Sequence, residues 1–395
     1  MNIFFLITGY ALVFIIGWLV SYDRHHIRYK SMGILFALQF LISFLCLHTS
    51  GGEATLKAIS NFFNWLMVQA AAGVNFVFGG VVIKSGASVF FLNVLMPIVF
   101  ISALVGILNY IKVLPFIIKW TGWLLNKIAG MGELESYFAV STAILGEPEV
   151  FLTIRDQLPK LDSKRLYTIC ASAMSAVAAA VLASYMKLVP SKFVVVAVFM
   201  NILSVLEISC VINPYTPPKN DPLASMDLNE KEKEPFFQVL GDYIQDGFKL
   251  ALTVAAMLIG FVALMAFLNS TCKIFFNISF TSMIGYIFAP VAWLMGVPSQ
   301  DILKVGSVMA TKLIANEFTA MGTLNSFSGL TAKSTAIISS YLISYANFGT
   351  VGIITGSIRA IAPNQGKQVA KTSLKLLLGA TMASVLTGTI VGFWY

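Results

Sequence analysis

The chain has 395 residues, of which 57% are hydrophobic and 11% are charged, and its formal net charge is +8. Its mean hydropathy of +0.82 excludes an ordinary soluble domain. Nucleic-acid binding is disfavoured as well, because no basic cluster alternates with exposed aromatic residues. The basic residues lie instead in short connections, which is the positive-inside pattern of membrane proteins.

Long windows without Asp, Glu, Lys or Arg recur along the chain, and each can supply the ~20 residues that a spanning helix needs. These windows are residues 1–22, 31–52, 58–83, 85–111, 166–186, 250–272, 274–300, 334–358 and 376–395. They predict an all-α polytopic membrane protein.

The first third of the chain contains three predicted spans and two interfacial segments. The spans cover residues 1–22, 31–52 and 88–110, and the interfacial segments cover 57–80 and 111–130. The first interfacial segment is apolar but contains Asn, Gln and glycines, so we expect an interfacial or re-entrant helix. In the second, lysines alternate with tryptophans and leucines, as in an amphipathic helix. The first window lacks a basic leader and a cleavage site, so we expect a retained helix.

A re-entrant hairpin is predicted over residues 133–160, which begin and end among cytoplasmic-type charges while the apolar middle is broken at Pro148. Two spans, a cytoplasmic linker, an amphipathic helix and a further span follow, over residues 167–186, 193–211, 213–234, 236–249 and 250–268. The linker is rich in Pro, Asp, Glu and Lys and is too short for a domain.

The second half repeats this order. Residues 299–328 are polar and are predicted to re-enter from the opposite face, before spans over 334–358 and 376–395. The total is eight transmembrane helices with two opposed re-entrant hairpins and interfacial helices, and both termini lie outside. Such an inverted repeat is typical of secondary transporters, whose substrate site lies where broken helices meet near the midplane.

The predicted regions are five. They are residues 1–130 (scaffold and oligomerisation helices), 131–213 (first transport half), 214–235 (linker), 236–298 (amphipathic helix and scaffold span) and 299–395 (second transport half).

Charged and polar residues at membrane depth mark the candidate site, because such groups are costly there unless they are paired or hydrated. Glu147, Pro148 and Glu149 form the tip of the first hairpin, and Asn316-Glu317 lie in the second. Asn347 and Thr350 lie in the middle of a span followed by glycines, which predicts a locally unwound helix facing a cavity.

Each of these residues has a structural alternative. Asn347 can form a helix–helix hydrogen bond with glycines that allow close packing. Glu317 can form an ion pair with Lys312, and the first hairpin tip can reach hydrated headgroups. The buried acid Glu207 can be paired or hydrated near the cytoplasmic end of its span, and a proton relay is the alternative.

Motifs for other chemistry are absent from the sequence. It contains no phosphate-binding loop, no zinc-protease motif and no nucleophile elbow, so we expect neither an ATP-driven pump nor an enzyme. No cofactor and no metal site are expected. Four widely spaced cysteines have neither metal-binding nor redox spacing.

Gly146-Glu147-Pro148-Glu149, Asn316-Glu317-Phe318 and Ala346-Asn347-Phe348 carry a family resemblance. Further matching stretches occur in the same order at residues 131–136, 144–145, 185–186, 212–215, 255–261, 293–298 and 310–313. Through them the chain resembles the concentrative nucleoside transporters, most closely their bacterial NupC type. The resemblance implies a homotrimer in the bacterial cytoplasmic membrane, in which a mobile transport domain carries a nucleoside past a scaffold by an elevator mechanism, driven by a cation gradient.

The resemblance also implies roles for particular residues. The first hairpin would bind the nucleobase, with Glu149 near base and ribose. Glu317 would bind the ribose, a role that suits an ionised carboxylate because ribose hydroxyls are donors. The remaining implied site residues are Val181 against the base, Asn347 and Thr350 at the ribose, and the aromatic Tyr345 beside the site.

Two positions associated with sodium differ here. Family members that use sodium have an asparagine and a Ser/Thr where this chain has Thr142 and Ala176, and losing oxygen ligands weakens a site for a hard cation. We therefore expect proton coupling, with sodium coupling as the alternative.

Glu147 and Pro148 stand where the family usually has glutamine and a small hydroxyl residue. An ionised glutamate only accepts hydrogen bonds, so it favours a base edge that presents donors. Guanine presents two donors and hypoxanthine presents one, which predicts a preference for guanosine and then inosine. If Glu147 is protonated or turned toward water, a broad or pyrimidine preference is expected instead. A passive nucleoside channel is the alternative from a different class.

Overall fold

The computed structural model describes residues 2–80, 89–147, 149–155, 157–217 and 235–395, which form helices joined by short connections. The α-helices are α1 (Asn2–Val20), α2 (Tyr29–His48), α3 (Ser50–Phe78), α4 (Pro97–Tyr110), α5 (Val113–Ala129), α6 (Glu133–Leu145), α7 (Ser163–Ser175), α8 (Ala179–Leu188), α9 (Ser191–Ile212), α10 (Phe236–Phe276), α11 (Phe280–Leu294), α12 (Ile302–Ile314), α13 (Glu317–Asn325), α14 (Ala332–Leu342), α15 (Phe348–Ile361) and α16 (Pro363–Phe393). A π-helical segment, Phe91–Leu95, precedes α4, and 3-10 segments occur at Glu149–Ile154, Leu158–Lys160 and Ser299–Asp301.

Six of the described helices are long and apolar enough to cross a membrane, and α7 with α8 forms a bent pair that passes the same test. The six are α1, α2, α4 with its π-helical segment, α9, α10 and α16. When α14 and α15 are counted as two halves of one broken span, the total is the predicted eight. Helices α3 and α5, predicted to be interfacial, are not among the candidate spans.

Helix α10 differs from its prediction. An amphipathic helix over residues 236–249 and a separate span over 250–268 were expected, but the structure has one continuous helix of 41 residues. Gly247 does not interrupt it, because this glycine allows close packing against α4. A Cβ atom at Gly247 would lie 2.7 Å from the Ser102 side chain, and one at Gly106 of α4 would lie 2.6 Å from the Tyr243 ring.

The predicted span over residues 167–186 is interrupted. Helix α7 ends at Ser175, α8 begins at Ala179, and the two are bent by 41°. The connecting residues contain no Pro or Gly, and alanine has the highest helix propensity, so the sequence gives no local signal for a break. A tertiary contact accounts for it, since the Ala178 backbone N–H donates to the Tyr345 hydroxyl at 3.1 Å.

The first hairpin is formed by α6, a turn at Gly146 and the short 3-10 segments up to Lys160. A buried ion pair joins its start to the start of α7, with Arg165 Nε 2.5 Å from Glu135 Oε1 and Arg165 Nη2 3.2 Å from Glu135 Oε2. Asp162 caps α7 by accepting from the Lys164 and Arg165 backbone N–H groups. These contacts fix the hairpin base relative to the broken span that follows.

The second hairpin consists of α12 and α13, and a broken span, α14 with α15, follows it. The continuous helix α16 then completes the chain. The first hairpin is likewise followed by a broken span and by the continuous helix α9. The order hairpin, broken span and continuous span therefore occurs twice, as predicted for a repeat.

Helices α9 and α16 form the centre of the described core and are mostly buried. Helices α1 and α2 pack on them, whereas α10 packs mainly on α4. The sequence-based region 1–130 grouped α1 and α2 with α3–α5. In the structure the first two helices lie against the elements of the predicted transport halves. Most of the predicted linker over 214–235 lies outside the described residues.

Candidate substrate-binding site

The tip of the first hairpin depends on Gly146, which ends α6 with a positive φ of 77° and a ψ of −175°, a conformation that residues with a Cβ atom rarely adopt. This turn directs the chain from α6 into the 3-10 segment that begins at Glu149. Glu147 is partly buried, and its Oε1 is a buried atom with no hydrogen-bond partner among the described residues. Pro148, which belongs to the predicted site, lies outside the described residues.

Replacing Gly146 with alanine is expected to destabilise the hairpin tip and to reduce uptake by at least about tenfold. This backbone conformation costs a non-glycine residue about 1–3 kcal/mol, and forcing an extra methyl group into a packed site costs about 1–3 kcal/mol. The new Cβ would lie 2.4 Å from the Ala178 Cβ. Thermal unfolding of the purified protein and initial uptake rates in proteoliposomes measure the two effects.

Gly241→Ala in α10 is the matched control, because a Cβ there would meet no atom within 4 Å. Unchanged unfolding temperature and uptake in Gly146→Ala would show that the turn tolerates a side chain and would contradict the prediction.

The break between α14 and α15 contains the predicted unwound segment. Asn347 has an extended backbone and caps α15, with its Oδ1 accepting from the Thr350 N–H at 2.9 Å. Both residues are buried. The Asn347 side-chain amide also donates to Glu317 Oε2 at 3.3 Å. The prediction of a helix broken near Asn347 is confirmed.

Glu317 begins α13 at the tip of the second hairpin and is 5% exposed. Its Oε1 accepts from the Tyr185 hydroxyl of α8 at 2.8 Å, and its Oε2 accepts from Asn347. The second hairpin, α8 and the break before α15 therefore meet at one carboxylate. Tyr185 was recognised as part of a matching stretch but was not predicted as a site residue.

Lys312 does not form the alternative ion pair with Glu317 in the described part of the chain. Its buried ammonium donates to the Tyr341 carbonyl at 2.5 Å, to Ser344 Oγ at 2.6 Å and to Ser384 Oγ at 3.2 Å. These acceptors lie at the C-terminal end of α14, where backbone carbonyls lack helical partners, and in α16. The lysine therefore stabilises the broken helix, and Glu317 is left to accept from neutral donors.

A small cavity of about 20 Å³ adjoins the first hairpin tip. Its lining includes Glu147, Glu149 and Tyr345, together with Tyr243 and Asp246 of α10. It therefore brings residues of the hairpin and of the second broken span against the long helix. Tyr243 and Asp246 could not be predicted as site residues, because their proximity arises from the packing of α10 on α4.

The remaining predicted residues occupy separate positions. Val181 is buried in the first turn of α8. Thr142 is buried in α6, and its hydroxyl donates to the Phe138 carbonyl of the same helix at 2.7 Å. Ala176 lies at the break after α7 and offers no side-chain oxygen. The described residues include no group of three or more His, Cys, Asp or Glu side chains that could hold a metal ion.

Comparisons with known proteins identify related sequences along the whole chain. Residues 8–81 match the family model "Na+ dependent nucleoside transporter N-terminus", 91–192 match "Nucleoside recognition" and 193–392 match "Na+ dependent nucleoside transporter C-terminus". The chain is 32% identical to the purine nucleoside transport protein NupG of Bacillus subtilis, over 98% of both chains. It is 29% identical to the putative nucleoside permease NupX of Escherichia coli, again over 98% of both.

Among solved structures, CNTnw in an inward-facing substrate-bound state is similar to this chain with a TM-score of 0.94 and 28% sequence identity. That similarity covers 100% of this chain and 98% of CNTnw.

Proposed function

The chain belongs to the concentrative nucleoside transporter family, and from this premise we propose that it is a proton-coupled importer of purine nucleosides, guanosine before inosine. It is a nucleoside transporter rather than an enzyme, and a multi-pass protein of the bacterial inner membrane. The proposal concerns its base preference, its coupling ion, its site residues and its mechanism of movement.

The unpartnered Glu147 oxygen carries the proposal for the base. Buried acceptors normally have a donor, so this oxygen is best explained by a ligand that supplies one. Guanine presents its N1–H beside its exocyclic amine, and the two donors match the two oxygens of a carboxylate. Hypoxanthine presents only the N1–H. Adenine and cytosine place a ring acceptor against the carboxylate, which is unfavourable.

The relative NupG adds independent support, because it is described as a purine nucleoside transport protein. Its similarity extends over nearly the whole chain, including both hairpins.

We assign the ribose to the second hairpin and the second broken span. The Glu317 carboxylate already accepts two hydrogen bonds from Tyr185 and Asn347, and a carboxylate has about four acceptor positions. It can therefore accept from ribose hydroxyls without losing its present partners. Thr350 and Tyr345 lie within three residues of Asn347 in the sequence and are assigned to this side of the site, whereas Glu149 and Val181 are assigned to the base side.

Proton coupling is proposed because side-chain oxygens are poorly placed for sodium. Ala176 has none, and Thr142 supplies one hydroxyl oxygen where family members that use sodium have an asparagine. A hard cation prefers several oxygen ligands, so these two residues contribute little to a sodium site.

We further propose elevator movement within a homotrimer, with the hairpins, the broken spans, α9 and α16 as the moving part. The packing supports a changed domain boundary, because α1 and α2 lie on α9 and α16 and would move with them. The α4–α10 pair would belong to the scaffold.

Uptake into proteoliposomes under separate pH and sodium gradients tests the function. We expect labelled guanosine to accumulate above equilibrium under an inward proton gradient, to respond little to sodium, and to lose accumulation with a protonophore. Unlabelled uridine is expected to compete about tenfold less well than inosine, since uracil has carbonyl acceptors on both sides of its single N3–H donor, and an acceptor that faces a carboxylate oxygen costs about 1–3 kcal/mol.

Each alternative has a distinct result. Strong uridine uptake with weak competition by guanosine would contradict the purine preference, and accumulation driven by sodium alone would contradict proton coupling. Equilibration without accumulation under either gradient would identify a passive channel.

A further inference from the structure

A chain of buried polar side chains runs from α1 to the break after α14. It begins at Tyr10, whose hydroxyl lies 2.7 Å from Glu207 Oε1, and Glu207 Oε2 lies 2.5 Å from the side-chain amide of Gln39. The amide of Gln39 lies 2.6 Å from Ser204 Oγ, and Ser204 Oγ lies 2.9 Å from Thr387 Oγ1. The chain then continues through Asn201 to the backbone carbonyl of Ile343.

The donor and the acceptor of each of these hydrogen bonds can be assigned by starting from the Ile343 end of the chain. A carbonyl only accepts, so Asn201 must present its amide nitrogen to Ile343 and its oxygen to Thr387. Thr387 must then donate its single hydroxyl proton to Asn201 at 2.7 Å. Its contact with Ser204 therefore requires Ser204 to be the donor.

The same assignment of donors and acceptors extends to Glu207. If Ser204 donates to Thr387, it must accept from Gln39, whose amide nitrogen then faces the serine. The two ends of a glutamine amide have nearly the same shape, so this orientation fits the same space. The Gln39 oxygen then faces Glu207 Oε2, and two oxygens at 2.5 Å need a proton between them. Every contact is satisfied only when Glu207 is protonated.

An ionised Glu207 leaves one contact unsatisfied. In that case Gln39 Nε2 donates to the carboxylate, and Ser204 donates to Gln39 Oε1. The Ser204 proton is then used, and the Thr387 proton is already held by Asn201, so the 2.9 Å contact between the two hydroxyls has no proton. Deprotonation of Glu207 therefore changes hydrogen bonding between α9 and α16.

The surroundings favour a neutral glutamate. Helix α1 presents Tyr10 to Glu207 and α2 presents Gln39, and Thr387 of α16 is linked to it through Ser204 and Gln39. Cys210 on α9 is the other titratable group that interacts with it, and no Lys, Arg or His of the described residues does. The hydrogen bonds themselves distinguish Glu207 from Glu317: the full set of contacts around Glu207 requires its proton, whereas Tyr185 and Asn347 both donate to the Glu317 carboxylate.

We propose that Glu207 binds the proton that drives nucleoside uptake, and that the polar chain transmits its protonation to the break between α14 and α15. Ile343, where the chain ends, lies in the same short segment as Tyr345 and Asn347 of the candidate site. Loss of the proton weakens the contact between Ser204 of α9 and Thr387 of α16. The Asn201 side chain, which donates to the Ile343 carbonyl at the break, is then less firmly positioned. This inference rests on the proposed proton coupling.

Glu207→Gln provides the test, because glutamine reproduces the protonated acid: its nitrogen can donate to Gln39, and its oxygen can accept from Tyr10. We expect this variant to exchange labelled for unlabelled nucleoside across the membrane at half the wild-type rate or more. Its accumulation under a proton gradient is expected to fall to the equilibrium ratio of about one. Glu53→Gln, the same change at an exposed position of α3, should behave as the wild type.

The outcomes separate this inference from the proposed function. A wild-type protein that does not respond to a proton gradient overturns proton coupling and, with it, this role of Glu207. A wild-type protein that responds, together with a Glu207→Gln variant that accumulates nucleoside equally well, overturns the role of Glu207 alone.

Infrared difference spectroscopy measures the proton directly. A wild-type sample should show the C=O stretching band of a buried carboxylic acid, and the Glu207→Gln sample should lack it. If both samples give identical carboxylic-acid spectra, Glu207 is ionised, and the assignment of donors and acceptors that requires its proton is wrong. The variant Thr387→Val removes the hydroxyl that fixes the direction of the chain, and we expect it to shift the pH at which the band disappears.

Discussion

Glu317→Gln is expected to reduce kcat/KM for nucleoside uptake by roughly 10²- to 10⁴-fold. In the proposed site the carboxylate accepts from ribose hydroxyls while it also accepts from Tyr185 and Asn347. Each hydrogen bond to a charged group contributes about 1.5–3 kcal/mol, and about 1.36 kcal/mol corresponds to a factor of ten in rate, so the predicted loss corresponds to two such bonds from the ribose hydroxyls. Initial rates of labelled guanosine uptake over a range of concentrations measure the effect.

The loss should be one of binding rather than of folding. Glutamine has the size of glutamate and can still accept from Tyr185, so the purified variant should elute from a sizing column at the wild-type volume. Glu53→Gln controls for the loss of one negative charge at an exposed position. Uptake by Glu317→Gln within about twofold of wild type would place the ribose elsewhere, since even one such bond is worth more.

Deoxynucleosides extend the same test. If Glu317 accepts from ribose hydroxyls, the wild-type protein should discriminate against a nucleoside that lacks one of them, and Glu317→Gln should discriminate less. A mutation that acted only on the stability of the fold would reduce uptake of both nucleosides by the same factor.

Two broken spans show how far the sequence determines the fold. The break before α15 could be predicted, because Asn347 and its neighbouring glycines are polar or flexible residues in the middle of an apolar window. The break between α7 and α8 could not, because its residues are small and favour a helix. That break depends on Tyr345 from a distant element, and a contact of this kind leaves no local signal.

In the candidate site, too, some residues could be predicted from the sequence, whereas some contacts could not. Glu147, Glu317 and Asn347 could be found because polar groups at membrane depth need a reason to be there. The ion pair between Glu317 and Lys312, offered as an alternative because the two are close in sequence, is not formed in the described part of the chain, where Tyr341, Ser344 and Ser384 surround the ammonium instead.

The two hairpin glutamates have different surroundings although they hold corresponding positions. Glu317 receives hydrogen bonds from Tyr185 and Asn347, whereas Glu147 has a buried oxygen without a partner among the described residues. A carboxylate that is already held by the protein has a fixed orientation. One that is not held depends on the ligand for its donors, and it therefore has the larger influence on which ligand is accepted.

Glu147→Gln is accordingly expected to change selectivity more than total activity. An amide presents one donor and one acceptor, and it can match uracil, cytosine or adenine, whereas a carboxylate only accepts. We expect kcat/KM for guanosine to fall by roughly 10- to 100-fold, because one carboxylate oxygen is replaced by a donor that faces a donor, at a cost of about 1–3 kcal/mol. Uptake of uridine and adenosine should rise by about tenfold.

Parallel uptake of labelled guanosine, inosine, adenosine and uridine by the two proteins measures the change as a ratio of kcat/KM values. Such a ratio is independent of the amount of active protein in each preparation. Glu133→Gln is the matched control, since it makes the same substitution at an exposed position of the same hairpin and should leave every ratio unchanged.

The relative losses of guanosine and inosine uptake distinguish hydrogen bonding to the Glu147 carboxylate from selection of purines by size. If Glu147 pairs with two donors, guanosine must lose more than inosine on substitution, because inosine offers only the N1–H. A pocket that selects purines by size alone would keep both ratios to uridine constant in Glu147→Gln. Equal losses for guanosine and inosine would indicate a single hydrogen bond to the N1–H and would remove the basis for placing guanosine first.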